Sequence, residues 1–170
     1  MSSILTKTLH AVAVLTCLWL SVPQLVRHVD WTGYTAFTAE VTGGRRIEPA
    51  DMALLAPVLD RTRVAPCDVL RNTPLVTLHL YANDLLARQA GVNPLLTADD
   101  EALRAQRVAA RAVLEDALAC SPLDGNLWLS LAIMSRALGD DAATTAHYLA
   151  MSAEYTPHEG WIARRRDQLF

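Results

Sequence analysis

Apolar positions along the chain follow two patterns. Over Thr8–Val26, TLHAVAVLTCLWLSVPQLV, they are nearly continuous. From Glu48 onward they recur at three and four residues, the period of helices with one buried side. The uncharged core of the first stretch, Ala11–Val22, suits a signal-peptide hydrophobic region. Extended to Val26 it nears the roughly 20 residues that a spanning helix needs. Lys7 precedes it and Arg27 follows, while Pro23 and Gln24 sit near its exit. No small-x-small cleavage site follows, so residues 1–29 are expected to be a transmembrane anchor or uncleaved signal. Residues 30–47, with Gly33, Gly43 and Gly44, read as an irregular linker. Residues 48–170 read as a helical domain.

Within that domain, Glu48-Pro49 opens a short helix carrying Met52, Leu54, Leu55 and Leu59, which Pro57 should kink or end. Asn72 or Thr73 is the expected cap of a longer helix, with Pro74 in its first turn. Leu75, Leu78, Ala82, Leu85 and Leu86 form its buried stripe, and Gly91 stops it. Thr97 and Asp100 form the cap pattern of the next helix. That helix carries Leu103, Ala110, Val113, Leu114, Ala117 and Leu118 on one side. Arg104, Arg107 and Arg111 read as a solvated basic stripe on another.

The densest apolar run, Asn126–Leu138 (NLWLSLAIMSRAL), is bracketed by two near-copies of one phrase. These are Ser121-Pro122-Leu123-Asp124-Gly125 and Thr156-Pro157-His158-Glu159-Gly160. Each is a helix-start device: Ser121 and Thr156 as N-caps, Pro122 and Pro157 at the first helical position, Asp124 and Glu159 returning a bond to the cap. Gly139-Asp140-Asp141 breaks the chain between them. The spacing predicts two antiparallel helices, Pro122–Leu138 and Asp141–Tyr155, and a recurrence of this length marks a helical hairpin repeat.

Trp128, Leu131, Ala132, Gly139, Tyr148 and Pro157 follow the order of a tetratricopeptide repeat, and the segment resembles one. The departures are Ser135 for a tyrosine, Thr144 and Met151 for small residues, and a proline one residue late. The resemblance covers one clear unit, about 124–157, and a degenerate preceding unit in Tyr81–Cys120. It implies an all-α fold of stacked hairpins. It also implies a concave groove lined by Asn126, Leu129, Ile133 and Arg136 that binds a protein or peptide partner. The alternative is that neighbouring helices cover these side chains.

Composition narrows the function further. The net charge of -3 disfavours nucleic acid as a partner. Lys7 is the one lysine among many arginines and alanines, the usage of a GC-rich bacterial genome. Cys67 and Cys120 lie outside the apolar stretch and are disulfide candidates if the domain is exported, or else two buried thiols. No nucleophile elbow, phosphate loop, Cys-x-x-Cys or zinc-protease motif occurs, so no catalytic, cofactor-binding or metal-binding residue is assigned. The expected protein is a single-pass inner-membrane adaptor with a periplasmic repeat domain, serving a cell-envelope assembly such as polysaccharide or protein export. A structural subunit of a larger membrane complex and an enzyme of unfamiliar type are the alternatives.

Overall fold

The computed structural model describes residues 2–60 and 67–170, and within them all side chains except those of residues 2–9, 11, 23, 24, 26–30, 69 and 70. Seven helices and no strand occur among the described residues: α1 Ser2–Thr42, α2 Asp51–Leu59, α3 Val69–Gln89, α4 Glu101–Cys120, α5 Gly125–Leu138, α6 Ala142–Tyr155 and α7 Gly160–Leu169. The chain is all-α, as its periodicity predicts. It divides into two compact units, Met1–Gly43 and Gly44–Phe170.

The first unit is one helix, which corrects the irregular lead-in expected from residue 30. The threonines that suggested a linker are accommodated inside it. Thr35 donates its hydroxyl to Trp31 O at 2.9 Å, Thr38 to Tyr34 O at 2.7 Å and Thr42 to Thr38 O at 2.7 Å. Such backbone bonds one turn earlier satisfy a β-branched hydroxyl within a helix. Among the described residues no helix is long and apolar enough to cross a membrane. The unbroken run of described side chains is Val12–Val22, shorter than a span. The flanking Lys7, Pro23, Gln24, Val26 and Arg27 lie outside the described side chains.

In the second unit α3 packs on α4, α4 on α5 and α5 on α6, with α2 against α3 and α7 against α5. Helices joined in this serial order form consecutive hairpins, an arrangement compatible with a helical repeat. The predicted stripes point inward: Leu75, Leu78, Ala82 and Leu85 on α3, and Leu103, Ala110, Val113, Leu114, Ala117 and Leu118 on α4, are buried. Several boundaries shift. Asp68 is the N-cap of α3, so Pro74 falls inside the helix and Asn72 is not a cap. Pro57 also lies inside its helix. Asp100 alone caps α4, accepting from Leu103 N at 2.8 Å. Asp141 caps α6 and accepts from both the hydroxyl and the amide of Thr144, at 2.7 and 2.8 Å. The hydroxyl bond first, then the amide bond, hold its carboxyl below the ordinary 3.8.

The basic stripe on α4 is corrected at Arg107, which is 1% exposed. Its guanidinium donates to Asn83 Oδ1 on α3 at 3.2 Å, to Pro94 O in the α3–α4 loop at 3.3 Å and to Ala137 O at 2.7 Å. Ala137 lies in the last turn of α5, where carbonyls have no partner within the helix and favour a cation. Burial lowers the Arg107 pKa below the ordinary guanidinium value. One turn on, half-buried Arg111 holds Asp140 in the α5–α6 turn and Glu115 on its own helix. Burial pulls the Arg111 pKa down, but hydrogen bonds and charge from Asp140 and Tyr148 outweigh it and the net shift is upward. Arg104 stays exposed. Gly139 closes α5 at φ +80°, and a Cβ there would lie 3.0 Å from Thr97 Cγ2. The α5–α6 turn therefore needs glycine for both backbone and space.

Cys67 and Cys120 are bridged, with Cα atoms 4.9 Å apart. The bond ties the last residue of α4 to the segment entering α3. Cys17, on α1, is free and exposed.

Replacing Arg107 with methionine keeps its bulk but leaves three oxygens without their donor, those of Asn83 and Ala137 buried and that of Pro94 partly so. It is expected to lower unfolding free energy by about 3 kcal/mol, read from the denaturant midpoint. Replacing Cys67 and Cys120 with serine releases a loop with a sequence separation of 53. Loop-closure entropy sets the expected loss at roughly 4 kcal/mol, measured in the same assay with and without reductant.

Candidate partner-binding surface

The duplicated phrase of the sequence is a duplicated turn in the structure. Ser121 ends α4 with φ -136°, ψ 64°, and Thr156 ends α6 with φ -135°, ψ 57°. Asp124 and Glu159, three residues on, are the N-caps of α5 and α7. Ser121 and Thr156 are therefore the C-terminal ends of the preceding helices, not N-caps, and the prolines lie in the turn rather than in the helix. Asp124 Oδ1 accepts from Asn126 N at 2.9 Å and Leu127 N at 3.1 Å. Glu159 makes no side-chain cap bond.

Helix α5 fixes both turns. Trp128 donates its indole N–H to Pro122 O at 2.8 Å, so the helix binds the turn that starts it. Its half-buried ring packs against Tyr148 and His147 of α6, with centroids 6.0 and 6.3 Å away. Ser135, which departs from the tetratricopeptide pattern, is buried with its hydroxyl 3.0 Å from Thr145 Oγ1 on α6. At the other end Ser152 donates to Gly125 O at 2.7 Å. Arg166 of α7 donates to Ser152 O at 2.9 Å and to Thr156 Oγ1 at 3.3 Å. Of the three consecutive arginines Arg164, Arg165 and Arg166, the last thus turns inward and the other two remain exposed.

The four residues expected to line one groove do not share a surface. Leu129 is fully buried and Ile133 is 7% exposed. Arg136 is exposed but engaged: it donates to Leu169 O at 2.6 Å, and its guanidinium lies 5.3 Å from the Phe170 ring centroid. A helix apolar on every side is covered on every side, and α4, α6 and α7 all pack on α5. Asn126 faces a cleft.

That cleft, of about 530 Å³, lies between the two turns and is lined by Leu123, Asp124, Asn126, Tyr155, Glu159 and Trp161 among others. Leu123 is 68% exposed and Trp161 50% exposed. Two apolar side chains in water beside two carboxylates make an amphipathic landing surface of the kind that recognises another polypeptide. Sequence reasoning missed Leu123 because a leucine inside a cap phrase reads as part of the cap. It missed Arg107 although the signal was present: residue 107 falls on the stripe of Leu103, Ala110 and Leu114. Among the described residues, no three His, Cys, Asp or Glu side chains gather as metal ligands.

No family model, curated protein or solved structure matches this chain.

A Cβ on Gly125 would collide with the Thr156 side chain and lie 2.9 Å from Ser152 O. Gly125→Ala is expected to destabilise the domain by about 2 kcal/mol through overpacking, and Thr156→Ser, which removes a methyl from the clash, to recover part of that in the double variant. Thermal unfolding of the two variants checks it.

Proposed function

We propose that this chain is a membrane-anchored, tetratricopeptide-like adaptor of a bacterial cell envelope, whose repeat domain lies in the periplasm and holds a protein partner at the cleft between the duplicated turns. The carrying observation is the exposure of Leu123 and Trp161 beside Asp124 and Glu159. Large apolar side chains left in water at the rim of a cleft favour an interaction surface. The order Trp128, Leu131, Ala132, Gly139, Tyr148 and Pro157, set in serial hairpins, supports the repeat assignment. The Cys67–Cys120 bridge supports export, since disulfides persist in oxidising compartments.

The anchor reading draws on α1. Val12, Val14, Leu15, Leu18, Trp19, Leu20, Val22 and Leu25 are all at least half exposed, and on a helix these positions cover most of the circumference. Such a surface calls for lipid or protein around it. Assembly of polysaccharide or protein export machinery is the natural setting. The second reading, a structural subunit of a larger membrane complex, draws on exposed Val108, which lies with Ala105, Ala109 and Ala112 along α4.

A photo-crosslinking side chain placed at Leu123 or Trp161 is expected to capture one discrete protein in the native membrane. Leu123→Asp should abolish capture from position 161, and a crosslinker at exposed Arg88 should not reproduce it. Identical adducts from Arg88, or none from either cleft position, would exclude the adaptor reading.

A further inference from the structure

Helix α7 presents a face to water that runs on from the cleft between the duplicated turns. Trp161, Arg164, Arg165 and Gln168 are three and four residues apart, so they share one side of the helix, and all four are exposed. Ile162 is buried and Arg166 turns inward onto Ser152 and Thr156, so the fold holds the helix by its other side. Trp161 belongs to both surfaces: it lines the cleft and begins the exposed stripe.

The charges of this patch are ordered. Asp124 and Glu159 stand on the cleft side of Trp161, and Arg164 and Arg165 follow it along the helix. Among the described residues, Glu159, Arg164 and Arg165 form no salt bridge. Arg164 folds back over Gly160, its Nη1 lying 3.5 Å from where a Cβ there would be, which leaves Arg165 as the outward guanidinium. An anionic lipid surface or a nucleic acid would meet these arginines but be repelled by the carboxylates, and a purely basic peptide would meet the reverse. The pattern asks for an occupant with acid and base in the opposite order around an apolar centre. A second copy of this chain, turned about a two-fold axis, carries that order.

The register follows from helix geometry. Glu159 and Arg165 are six residues apart, about 9 Å along a helix. Two α7 helices laid antiparallel, with the axis level with residue 162, set Glu159 of each copy beside Arg165 of the other. A two-fold contact is made twice, so one placement forms both pairs. In the same register the two Trp161 side chains are offset by only about 3 Å along the helix axis, within reach of ring packing.

We propose that this chain pairs with a second copy of itself through α7, Trp161 packing on Trp161 of the second copy and Glu159 pairing with Arg165 of the second copy. The proposal rests on the adaptor reading of the cleft and names the partner held there. Two single helix faces make a small interface, so Kd is expected on the order of 10 μM.

The test is sedimentation velocity of the full chain in neutral detergent, at loading concentrations spanning that value, with Cys17→Ser in every sample to prevent disulfide cross-linking through that thiol. The chain with both charges intact is expected to dimerise. Glu159→Arg sets two arginines against each other at both contacts, and Arg165→Glu sets two carboxylates. Each alone should weaken dimerisation at least about tenfold. Mixed in equal amounts, the two variants have opposite charges at both contacts of a mixed dimer, and dimer should return. Glu159 makes no side-chain cap bond and Arg165 is exposed, so neither reversal removes a contact of the fold. A monomer at every concentration, a dimer unmoved by either reversal, or single variants that mixing does not restore would overturn the pairing. In the native membrane, a photo-crosslinker at position 161 is expected to give an adduct of twice the chain's mass. An adduct with a different protein, from a chain that is monomeric when purified, would overturn the second copy and keep the adaptor reading. Restoration by mixing, with no adduct in the membrane, would keep the pairing and reject the adaptor reading.

Discussion

A single buried cation holds the order of the hairpins. Arg107 reaches from α4 to a side chain on α3, a carbonyl in the loop between them and a carbonyl at the end of α5. Removing a charge from water is expensive, and the loss is offset only when every donor finds an acceptor in good geometry. A flat guanidinium can address three oxygens at once where an ammonium on a flexible stem cannot. Two of the acceptors come from α3 and the loop after it, and the third from the far end of α5. All three are satisfied together only when α3, α4 and α5 have taken their places, so the residue that is costliest to bury also ties these helices to one arrangement.

The outline of this fold was legible from periodicity and turns. Helix stripes on α3 and α4 were readable because each has one buried side, and Gly139 was readable because a left-handed residue ends a helix cleanly. The duplicated phrase was legible as a repeat but not as a mechanism. It holds two possible caps three residues apart, and only the run of α4 through Cys120 decides between them. Once Ser121 belongs to the helix before, Asp124 must serve the helix after.

The candidate site was far less legible. Leu129 and Ile133 looked available because nothing in one sequence shows how many neighbours a helix has, and α5 has three. Arg107 looked solvated because arginines four residues apart suggest an open face. Residues 30–42 looked irregular because threonine and glycine weaken a helix on average, yet Thr35, Thr38 and Thr42 each turn the hydroxyl to the carbonyl one turn back. Asn72 read as a cap since capping is what asparagine does at a helix start. Its burial without a partner became visible only when Asp68 proved to be the cap.

The Cys67–Cys120 bridge has a consequence for how the domain can come apart. It joins the last residue of α4 to the segment entering α3, while the loop between the two helices joins their other ends. These two helices are thus closed into a covalent ring. A partial opening that starts at α7 can release α6 and α5 in turn, but α3 and α4 cannot drift far from each other afterwards. The ring remains as a seed on which the later helices can dock again.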